Sequence, residues 1–316
     1  MSRRCPPDQG EMFQGLVLWA IGNRARILVS GREYMVDIPG RWRLDLHGAR
    51  PLVPGDYVSL KLEGDLWRMI DLLPRTNEFT RRTPGMKKDQ PQVIAANIDR
   101  ALIVAAAAEP PTPTGLVDRL LVTAELGGIT PAIVINKIDL ISPDQLTFWE
   151  KTYRYAGELF FTSALTGEGI SRIVELIADR TILLAGKSGV GKSSIINRID
   201  PTLDLKTARI SKATGKGRHI TSATELHWIE IGGWVADTPG LRECAPWGMT
   251  PENLTDAFPE IRRLADRCKF RDCRHFKEKG CAVREAVGSP ELPVSRYKSY
   301  LKLLAEVQAN RTSRHR

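Results

Sequence analysis

Long apolar runs are missing from this sequence of 316 residues. No stretch of eighteen consecutive apolar residues occurs, which argues against a transmembrane helix and membrane association. The opening segment MSRRCPPDQGEM carries charge with no apolar stretch behind it, so we expect no secretory signal. Cysteine is scarce, with five residues, and an odd number outside a secretory context argues against a disulfide framework. We therefore expect a protein of the reducing cytoplasm.

Acidic residues are also in short supply. Lysine and arginine outnumber aspartate and glutamate by 46 to 37, which gives a formal net charge of +9. This balance favours a polyanionic partner such as nucleic acid, with simple solubility as the alternative explanation. The length indicates two or three domains.

The first part of the chain has the pattern of a small β-barrel. Residues 10–73 contain five short runs of alternating apolar and polar residues, separated by turn signals such as SGRE and VPGD. Five antiparallel strands in so short a segment fit an OB-type barrel, a frequent nucleic-acid binder, although such a barrel can also serve only to pack against its neighbour. We assign 1–80 to this barrel with an N-terminal arm, and 81–92, which is polar and basic, to a linker.

Residues 93–244 alternate apolar runs with helical patterns, and we assign them to an α/β domain. Its apolar runs lie at 101–108, 131–137, 158–164 and 181–186. They alternate with helical patterns at 115–126, 143–156, 168–178 and 192–199. Such alternation predicts a parallel sheet, joined by a hairpin from TELHWIEI and GWVADTPG. Residues 245–316 then lose the strand pattern and predict a small, mostly helical domain with a basic tail.

The segment GKSGVGKS matches G-x-x-x-x-G-K-[ST] and lies between a predicted strand and a predicted helix, the context that a phosphate-binding loop needs. Its glycines let backbone amides point at phosphates. Lys192 would sit between the β- and γ-phosphates, Ser193 would ligate Mg²⁺, and Ser194 would reach the α-phosphate. The candidate nucleotide-binding residues here are Gly186, Lys187, Ser188, Gly189, Val190, Gly191, Lys192, Ser193 and Ser194.

NKID, at residues 136–139, distinguishes GTP from ATP. Asp139 would accept hydrogen bonds from N1–H and the N2 amino group of guanine, which adenine does not offer in that arrangement. Asn136 would tie the base loop to the phosphate loop, and the stem of Lys137 would cover one face of the base. SAL, at another predicted strand end, would bring Ser163 and Ala164 near the guanine O6 atom.

DTPG closes a further predicted strand. Asp237 would hold Mg²⁺ through a water molecule, and the Gly240 amide would sense the γ-phosphate. Carboxyl ends of parallel strands share one edge, so all four segments are expected to form one guanine-nucleotide site. The motif order, with NKID and SAL first, is that of a circularly permuted GTPase. DTPG therefore leads directly into the C-terminal domain, and we expect nucleotide state to move that domain.

The segment TARISKATGKGRHITSATEL, before DTPG, has the composition of a switch loop. Thr221 is the preferred ligand to complete Mg²⁺ coordination, with Ser222 and Thr224 as alternatives. Leu241 stands where many small GTPases carry a water-orienting glutamine, so intrinsic hydrolysis should be slow unless a partner contributes. His219 is the nearest titratable candidate for catalysis, although a loop histidine can also be a bystander.

Three of the five cysteines crowd together near one histidine, in the spacing C-x4-C-x-H-x5-C. Three thiolates and an imidazole suit tetrahedral Zn²⁺ with no open position, which indicates a structural site. Such an ion contributes about 10 kcal/mol or more to the folding of a small domain. The alternative is a chance group of free thiols. The predicted ligands are Cys268, Cys273, His275 and Cys281.

The combination of an OB-like barrel, a permuted GTPase and a Cys-Cys-His-Cys domain resembles the RsgA (YjeQ/YloQ) family of bacterial GTPases over nearly the whole chain. GKSGVGKSS, the KGRH loop and the cysteine–histidine spacing are its most specific marks. The resemblance implies a GTPase stimulated by the 30S subunit in late maturation, with barrel and zinc domain contacting 16S rRNA. It also implies that His219 contributes to hydrolysis. Here GRHITS replaces the usual GRHTTT of the family.

Two functions follow as hypotheses. The first is a monomeric GTP hydrolase triggered by the small ribosomal subunit. The second is an RNA-binding assembly checkpoint that uses GTP only as a binding switch, with incidental hydrolysis, an alternative that Leu241 keeps open. A third role, in membrane traffic or transport, is disfavoured because the chain has no hydrophobic anchor.

Overall fold

A computed structural model describes residues 11–43, 52–83, 91–205, 224–238 and 244–314. The N-terminal part is a five-stranded antiparallel sheet in which alternate side chains, among them Val17, Ile27 and Leu60, are fully buried. Its elements are β1 Met12–Ile21, β2 Arg24–Val29, β3 Arg32–Asp37, α1 Gly40–Arg43, β4 Tyr57–Glu63 and β5 Leu66–Leu72.

This sheet curls into the predicted OB-type barrel. The strand order is β3-β2-β1-β4-β5, so β3 and β5 are the two edges. Tyr34 of β3 and Trp67 of β5 bring those edges together, with ring centroids 5.4 Å apart, and Phe13 of β1 meets Trp67 edge-on at 5.3 Å. These rings close the apolar interior, and the five predicted strands are confirmed.

The structure differs from the sequence interpretation at the basic segment 81–92. Strands β6 Glu78–Arg82 and β7 Pro91–Ala96 form an antiparallel pair, so the described ends of the assigned linker belong to a hairpin. Phe79 on β6 and Ala95 on β7 are fully buried against the α/β domain, and they anchor the hairpin despite its polar composition. The buried residues of both strands lie outside 81–92, so that segment showed no strand pattern of its own.

The central domain has the predicted α/β architecture. Its sheet contains β8 Arg100–Ala106, β9 Thr130–Asn136, β10 Glu158–Thr162, β11 Thr181–Ala185, β12 Glu225–Trp228 and β13 Trp234–Asp237. Its helices are α2 Thr114–Leu126, α3 Pro143–Tyr153, α4 Ile170–Ile177 and α5 Lys192–Ile199. The strand order is β10-β9-β8-β11-β13-β12, parallel except for β12, which pairs antiparallel with β13 at one edge.

This topology determines where the sequence motifs meet. The loops after β9, β10, β11 and β13 carry NKID, SAL, the phosphate loop and DTPG, and all four leave the same edge of the sheet. Because β11 lies between β8 and β13, the phosphate loop stands centrally among these segments.

The C-terminal domain is helical. It comprises α6 Pro251–Asp256, α7 Pro259–Ala265, α8 Ala282–Glu285 and the long α9 Val294–Arg314. Its apolar core, which includes Phe258 and Tyr300, also takes in Val122 from α2 of the central domain. The two domains therefore share one packed interface.

A buried ionic group crosses this interface. Arg296 of α9, only 1% exposed, donates to Asp118 of α2 at 2.5 Å and to Glu260 of α7 at 2.5 and 3.2 Å. The hydroxyl of Tyr153 donates to the same Asp118 at 3.1 Å. Separating a buried guanidinium from its carboxylates is costly, so any displacement of the C-terminal domain should carry α2 with it.

The described residues include no helix with the length and apolarity needed to cross a membrane.

Candidate functional site

The phosphate loop connects the end of β11 to the start of α5. Gly191, at the helix N-cap, has φ +96°, a left-handed conformation that side chains other than glycine rarely adopt. A Cβ atom there would lie 2.2 Å from Nδ2 of Asn136. Glycine at this position therefore allows the phosphate loop and the NKID loop to touch.

Lys192 is buried under its own loop. Only 7% of the residue is exposed, and Nζ donates to the carbonyl oxygens of Gly186 at 3.0 Å and Lys187 at 3.4 Å. Burial lowers the pKa of Lys192, and the nearby Asp237 carboxylate opposes that effect. An ammonium group held in this way has a strong electrostatic preference for an anion at the loop.

Ser193 and Asp237 face each other across the sheet edge. The Ser193 hydroxyl donates to Oδ2 of Asp237 at 3.1 Å. Burial raises the pKa of Asp237, while the Lys192 charge acts in the opposite direction. Oδ1 of Asp237 is buried and has no hydrogen-bond partner among the described residues. A hydroxyl beside an under-coordinated carboxylate is the oxygen donor set that Mg²⁺ prefers, so these residues fit the predicted cation.

The base loop is joined to the phosphate loop through Asn136. Its Nδ2 donates to the carbonyl of Val190 at 2.9 Å, and its Oδ1 accepts from Ala164 N–H at 3.1 Å and from the Thr162 hydroxyl at 3.3 Å. Asn136 is 1% exposed, so these bonds are shielded from water. One side chain thus connects the NKID, SAL and phosphate-loop segments.

Lys137 and Asp139, the other polar residues of NKID, are partly exposed and exposed, respectively. Lys137 has φ +65°, and its ammonium group donates to the carbonyl of Glu109. Asp139 lies exposed in a short 3₁₀ helix, Ile138–Leu140, where it accepts from the buried Ser163 hydroxyl at 2.5 Å. The Asp139 carboxylate is therefore held in orientation by SAL and still accessible to a base.

His219, Thr221 and Gly240 lie outside the described residues, as do Ser222 and Leu241. Thr224 is described: it is buried immediately before β12. Ser188 is exposed at the tip of the phosphate loop, and Ser194 lies in the first turn of α5.

The structure adds residues that the motif analysis did not find. Thr238, in DTPG, is buried and donates to the carbonyl of Leu184 at 2.7 Å, which fastens the end of β13 to β11. Burial lowers the pKa of His227, with the Asp237 charge opposing that effect. Glu225 is the direct cross-strand partner of Asp237. Only the pairing of β12 with β13 reveals the last two, since a hairpin register is not encoded in any motif.

The cysteine–histidine group forms one compact cluster in the C-terminal domain. The four ligand atoms all lie within 4.8 Å of one another, with Cys268 Sγ 3.8 Å from Cys281 Sγ. Nδ1 of His275 lies 3.6 and 3.5 Å from the same two sulfurs. Tetrahedral Zn²⁺, with Zn–S near 2.3 Å and Zn–N near 2.0–2.1 Å, requires separations of about 3.8 and about 3.5 Å. The donor set fits zinc in both distance and chemistry.

The loop that carries the cluster is fastened from two sides. Tyr297 and Tyr300 of α9 donate to the carbonyls of His275 at 2.8 Å and Arg274 at 3.1 Å. The Glu278 carboxylate accepts the backbone N–H groups of Arg274, Phe276 and Lys277. Burial acts to raise the pKa of Glu278, but these hydrogen bonds outweigh it and lower the pKa to about 2. The loop is therefore stabilised by groups that do not bind the metal.

Comparison with known proteins agrees with this architecture. A sequence model of the RsgA GTPase family matches residues 72–247. The small ribosomal subunit biogenesis GTPase RsgA of Gemmatimonas aurantiaca is 41% identical over 282 residues, which are 88% of this chain and 92% of that protein.

Two solved structures are similar over most of their length. The crystal structure of YjeQ from Thermotoga maritima superposes with a TM-score of 0.73 at 30% identity, covering 94% of this chain and 99% of that one. The structure of YloQ, a circularly permuted GTPase, gives a TM-score of 0.70 at 29% identity and covers 97% and 99%.

The permuted sheet, the phosphate loop and the NKID segment define a circularly permuted P-loop GTPase, an enzyme that hydrolyses GTP. Within that class, the chain belongs to the RsgA GTPase family. The resemblance inferred from the sequence motifs and the predicted three-part fold are both confirmed.

Proposed function

We propose that the site formed by the base loop and the phosphate loop binds GTP and GDP, and that the chain hydrolyses GTP in response to the small ribosomal subunit. The observation that carries the proposal is the junction at Asn136, which links NKID, SAL and the phosphate loop through hydrogen bonds of 2.9 and 3.1 Å. There one side chain bonds to the backbone of two distant segments, and a purine nucleotide is the ligand that needs all three segments.

Each described residue has a role in this proposal. Asp139 accepts from the N1–H and N2 groups of guanine, the stem of Lys137 covers the base, and Ser163 and Ala164 border O6. The amides of residues 186–191 cradle the phosphates, with Lys192 at the β- and γ-phosphates and Ser194 at the α-phosphate. The buried ammonium group of Lys192 supports this assignment. Its hydrogen bonds within the described residues go to carbonyl oxygens and not to a carboxylate, so an anionic phosphate would complete its surroundings.

Magnesium would be held by Ser193, by Asp237 through water, and by Thr221, with Gly240 sensing the γ-phosphate. When bound, Mg²⁺ supplies positive charge that stabilises the transferring phosphoryl group. Oδ1 of Asp237, which has no hydrogen-bond partner within the described part of the chain, supports this placement. Lys192 neutralises charge from the loop side, and the surrounding amides orient the γ-phosphate for attack by water.

Leucine occupies position 241, where many small GTPases have a glutamine that orients the attacking water. His219 or a partner must therefore orient the water for hydrolysis. In comparable systems a partner-supplied group accelerates hydrolysis by about 10³–10⁵. We assign that partner to the 30S subunit, with the barrel and zinc domain contacting 16S rRNA during late maturation in the cytoplasm, and with the chain acting as a monomer. The relatives' names and the net charge of +9 support this assignment.

Zinc would stabilise the C-terminal domain through Cys268, Cys273, His275 and Cys281. All four positions are filled by protein atoms, so the ion has a structural role and no part in hydrolysis.

Phosphate release from GTP and ATP, with and without purified 30S particles, tests the function. We expect GTP to be hydrolysed slowly alone and much faster with 30S, and ATP to be hydrolysed in neither case, with 50S particles as the control. If 30S binds in a GTP-dependent manner without accelerating hydrolysis, the binding-switch alternative is correct. Equal turnover of ATP would contradict the role of Asp139.

A further inference from the structure

The barrel meets the GTPase sheet at strand β12. Arg26 of β2 makes an ion pair through Nη2 with Oε1 of Glu225, the first residue of β12, and its Nε lies 3.5 Å from Glu33. Leu18 of β1 and Leu226 of β12, each 1% exposed, belong to one apolar cluster. An ion pair and a shared apolar cluster thus join the barrel to this strand.

The position of β12 gives this contact its significance. Among the described strands, β12 is at the edge of the sheet and pairs only with β13, so its outer side is available to the barrel. It begins four positions after Thr221, which we assign to Mg²⁺ coordination. Across the ladder, Glu225 is the direct partner of Asp237, the other proposed magnesium residue. Glu225 therefore contacts the barrel, follows Thr221 by four positions and is paired across the hairpin with Asp237.

The ion pair of Arg26 and Glu225 is partly shielded from water. The side chains of Arg26 and Glu225 are 34% and 30% exposed, whereas the barrel pair of Arg68 and Glu63 is 66% and 43% exposed. Shielding from water strengthens an ion pair and makes it sensitive to small displacements. A shift of β12 caused by the γ-phosphate would change this contact, and a shift of the barrel would change β12 by the same linkage.

We propose that Arg26 and Glu225 are positioning residues, which transmit occupancy of the barrel by the ribosomal partner to the segment that carries Thr221. Partner binding at the barrel then favours the hydrolytic arrangement of the switch. The inference depends on the proposed function because it explains how stimulation reaches the site.

The experiment compares the 316-residue protein with Arg26→Ala, Glu225→Ala and the exchange Arg26→Glu with Glu225→Arg. Glu63→Ala is the control, since it removes a carboxylate paired with another barrel arginine. We expect unchanged basal turnover, a loss of 30S stimulation of about tenfold in each single variant, and recovery in the exchange variant. Loss in Glu225→Ala excludes weaker attraction to RNA as the cause, because this change removes negative charge.

A second measurement separates this inference from the proposed function. The affinities of the same variants for GDP and for a non-hydrolysable GTP analogue with Mg²⁺ need no ribosome. We expect each single variant to alter analogue affinity by about fivefold or more and to leave GDP affinity unchanged. The effect of the exchange variant on analogue affinity should differ from the sum of the two single effects. Equal effects on both nucleotides, or 30S stimulation of the single variants equal to that of the original protein, would overturn the coupling. Failure of 30S to stimulate the original protein would instead overturn the proposed function.

Discussion

The side-chain amide of Asn136 donates to the carbonyl of Val190 at 2.9 Å, although the two residues are 54 positions apart in the chain. The contact joins a base loop that comes early in this permuted sequence to a phosphate loop that comes late. A sheet tolerates this rearrangement because its strands pair by position in space. Substitutions near this contact should affect nucleotide recognition and folding stability to different extents.

Replacing Asp139 with asparagine should change the preferred base. Asparagine offers one acceptor and one donor, which match N1–H and O2 of xanthine but not the N2 amino group of guanine. We expect GTP affinity to fall roughly a hundredfold, about 3 kcal/mol, and XTP to become a substrate. Competition binding with both nucleotides measures the change. Asp144→Asn, at an exposed acidic residue of α3, should leave the preference for GTP intact.

Alanine at Gly191 should damage the site more than alanine at Gly189. Both glycines have positive φ, but a Cβ at Gly191 would lie 2.2 Å from Nδ2 of Asn136, whereas one at Gly189 meets no atom within 4 Å. We expect Gly189→Ala to lower the unfolding free energy of the nucleotide-free protein by about 1 kcal/mol and Gly191→Ala to lower it by about 3 kcal/mol. Urea denaturation measures both. Equal losses would show that the contact with Asn136 does not constrain the loop.

Removing the Arg296 side chain should destabilise the junction between the GTPase and C-terminal domains. Arg296→Ala leaves the buried carboxylates of Asp118 and Glu260 uncompensated, at a cost of about 3–5 kcal/mol. Arg267→Ala breaks the exposed pair with Glu291 and should cost less than about 1 kcal/mol. Chemical denaturation distinguishes these outcomes, and similar small losses in both variants would show that the buried group does not stabilise the interface.

Zinc content should depend on the cluster alone. We expect one zinc ion per chain by elemental analysis in the original protein, none in Cys273→Ser, and a lower unfolding temperature in that variant. Cys244→Ala alters a buried cysteine outside the cluster, beside the Thr123 hydroxyl, and should retain the metal. Retention of zinc by the Cys273 variant would contradict the assigned ligand set.

Much of the fold was predictable from the sequence because its signals are local. Alternation of apolar residues located the barrel strands, and the succession of apolar runs and helical patterns located the parallel sheet. The strand-end rule then brought the four motifs to one edge. The cysteine spacing likewise located the cluster that the structure assembles.

What escaped prediction depends on contacts between distant segments. The buried residues of the β6–β7 pair, such as Phe79 and Ile94, lie outside 81–92, so the basic residues of that segment resembled a linker. The pairing of Arg296 with Asp118, and of Arg26 with Glu225, joins residues far apart in the chain, and each residue alone resembles an ordinary surface charge. These charges become interdomain ion pairs only when the tertiary structure brings the distant segments together. The expected movement of the C-terminal domain stays a prediction, and the buried contact with α2 implies that α2 takes part.

The most direct test is a structure of the chain with a non-hydrolysable GTP analogue and Mg²⁺. We expect Asp139 within about 3 Å of guanine N1 and N2, and Lys192 Nζ within about 3 Å of the β- and γ-phosphate oxygens. A base bound away from Asp139, or phosphates bound away from Lys192, would contradict it.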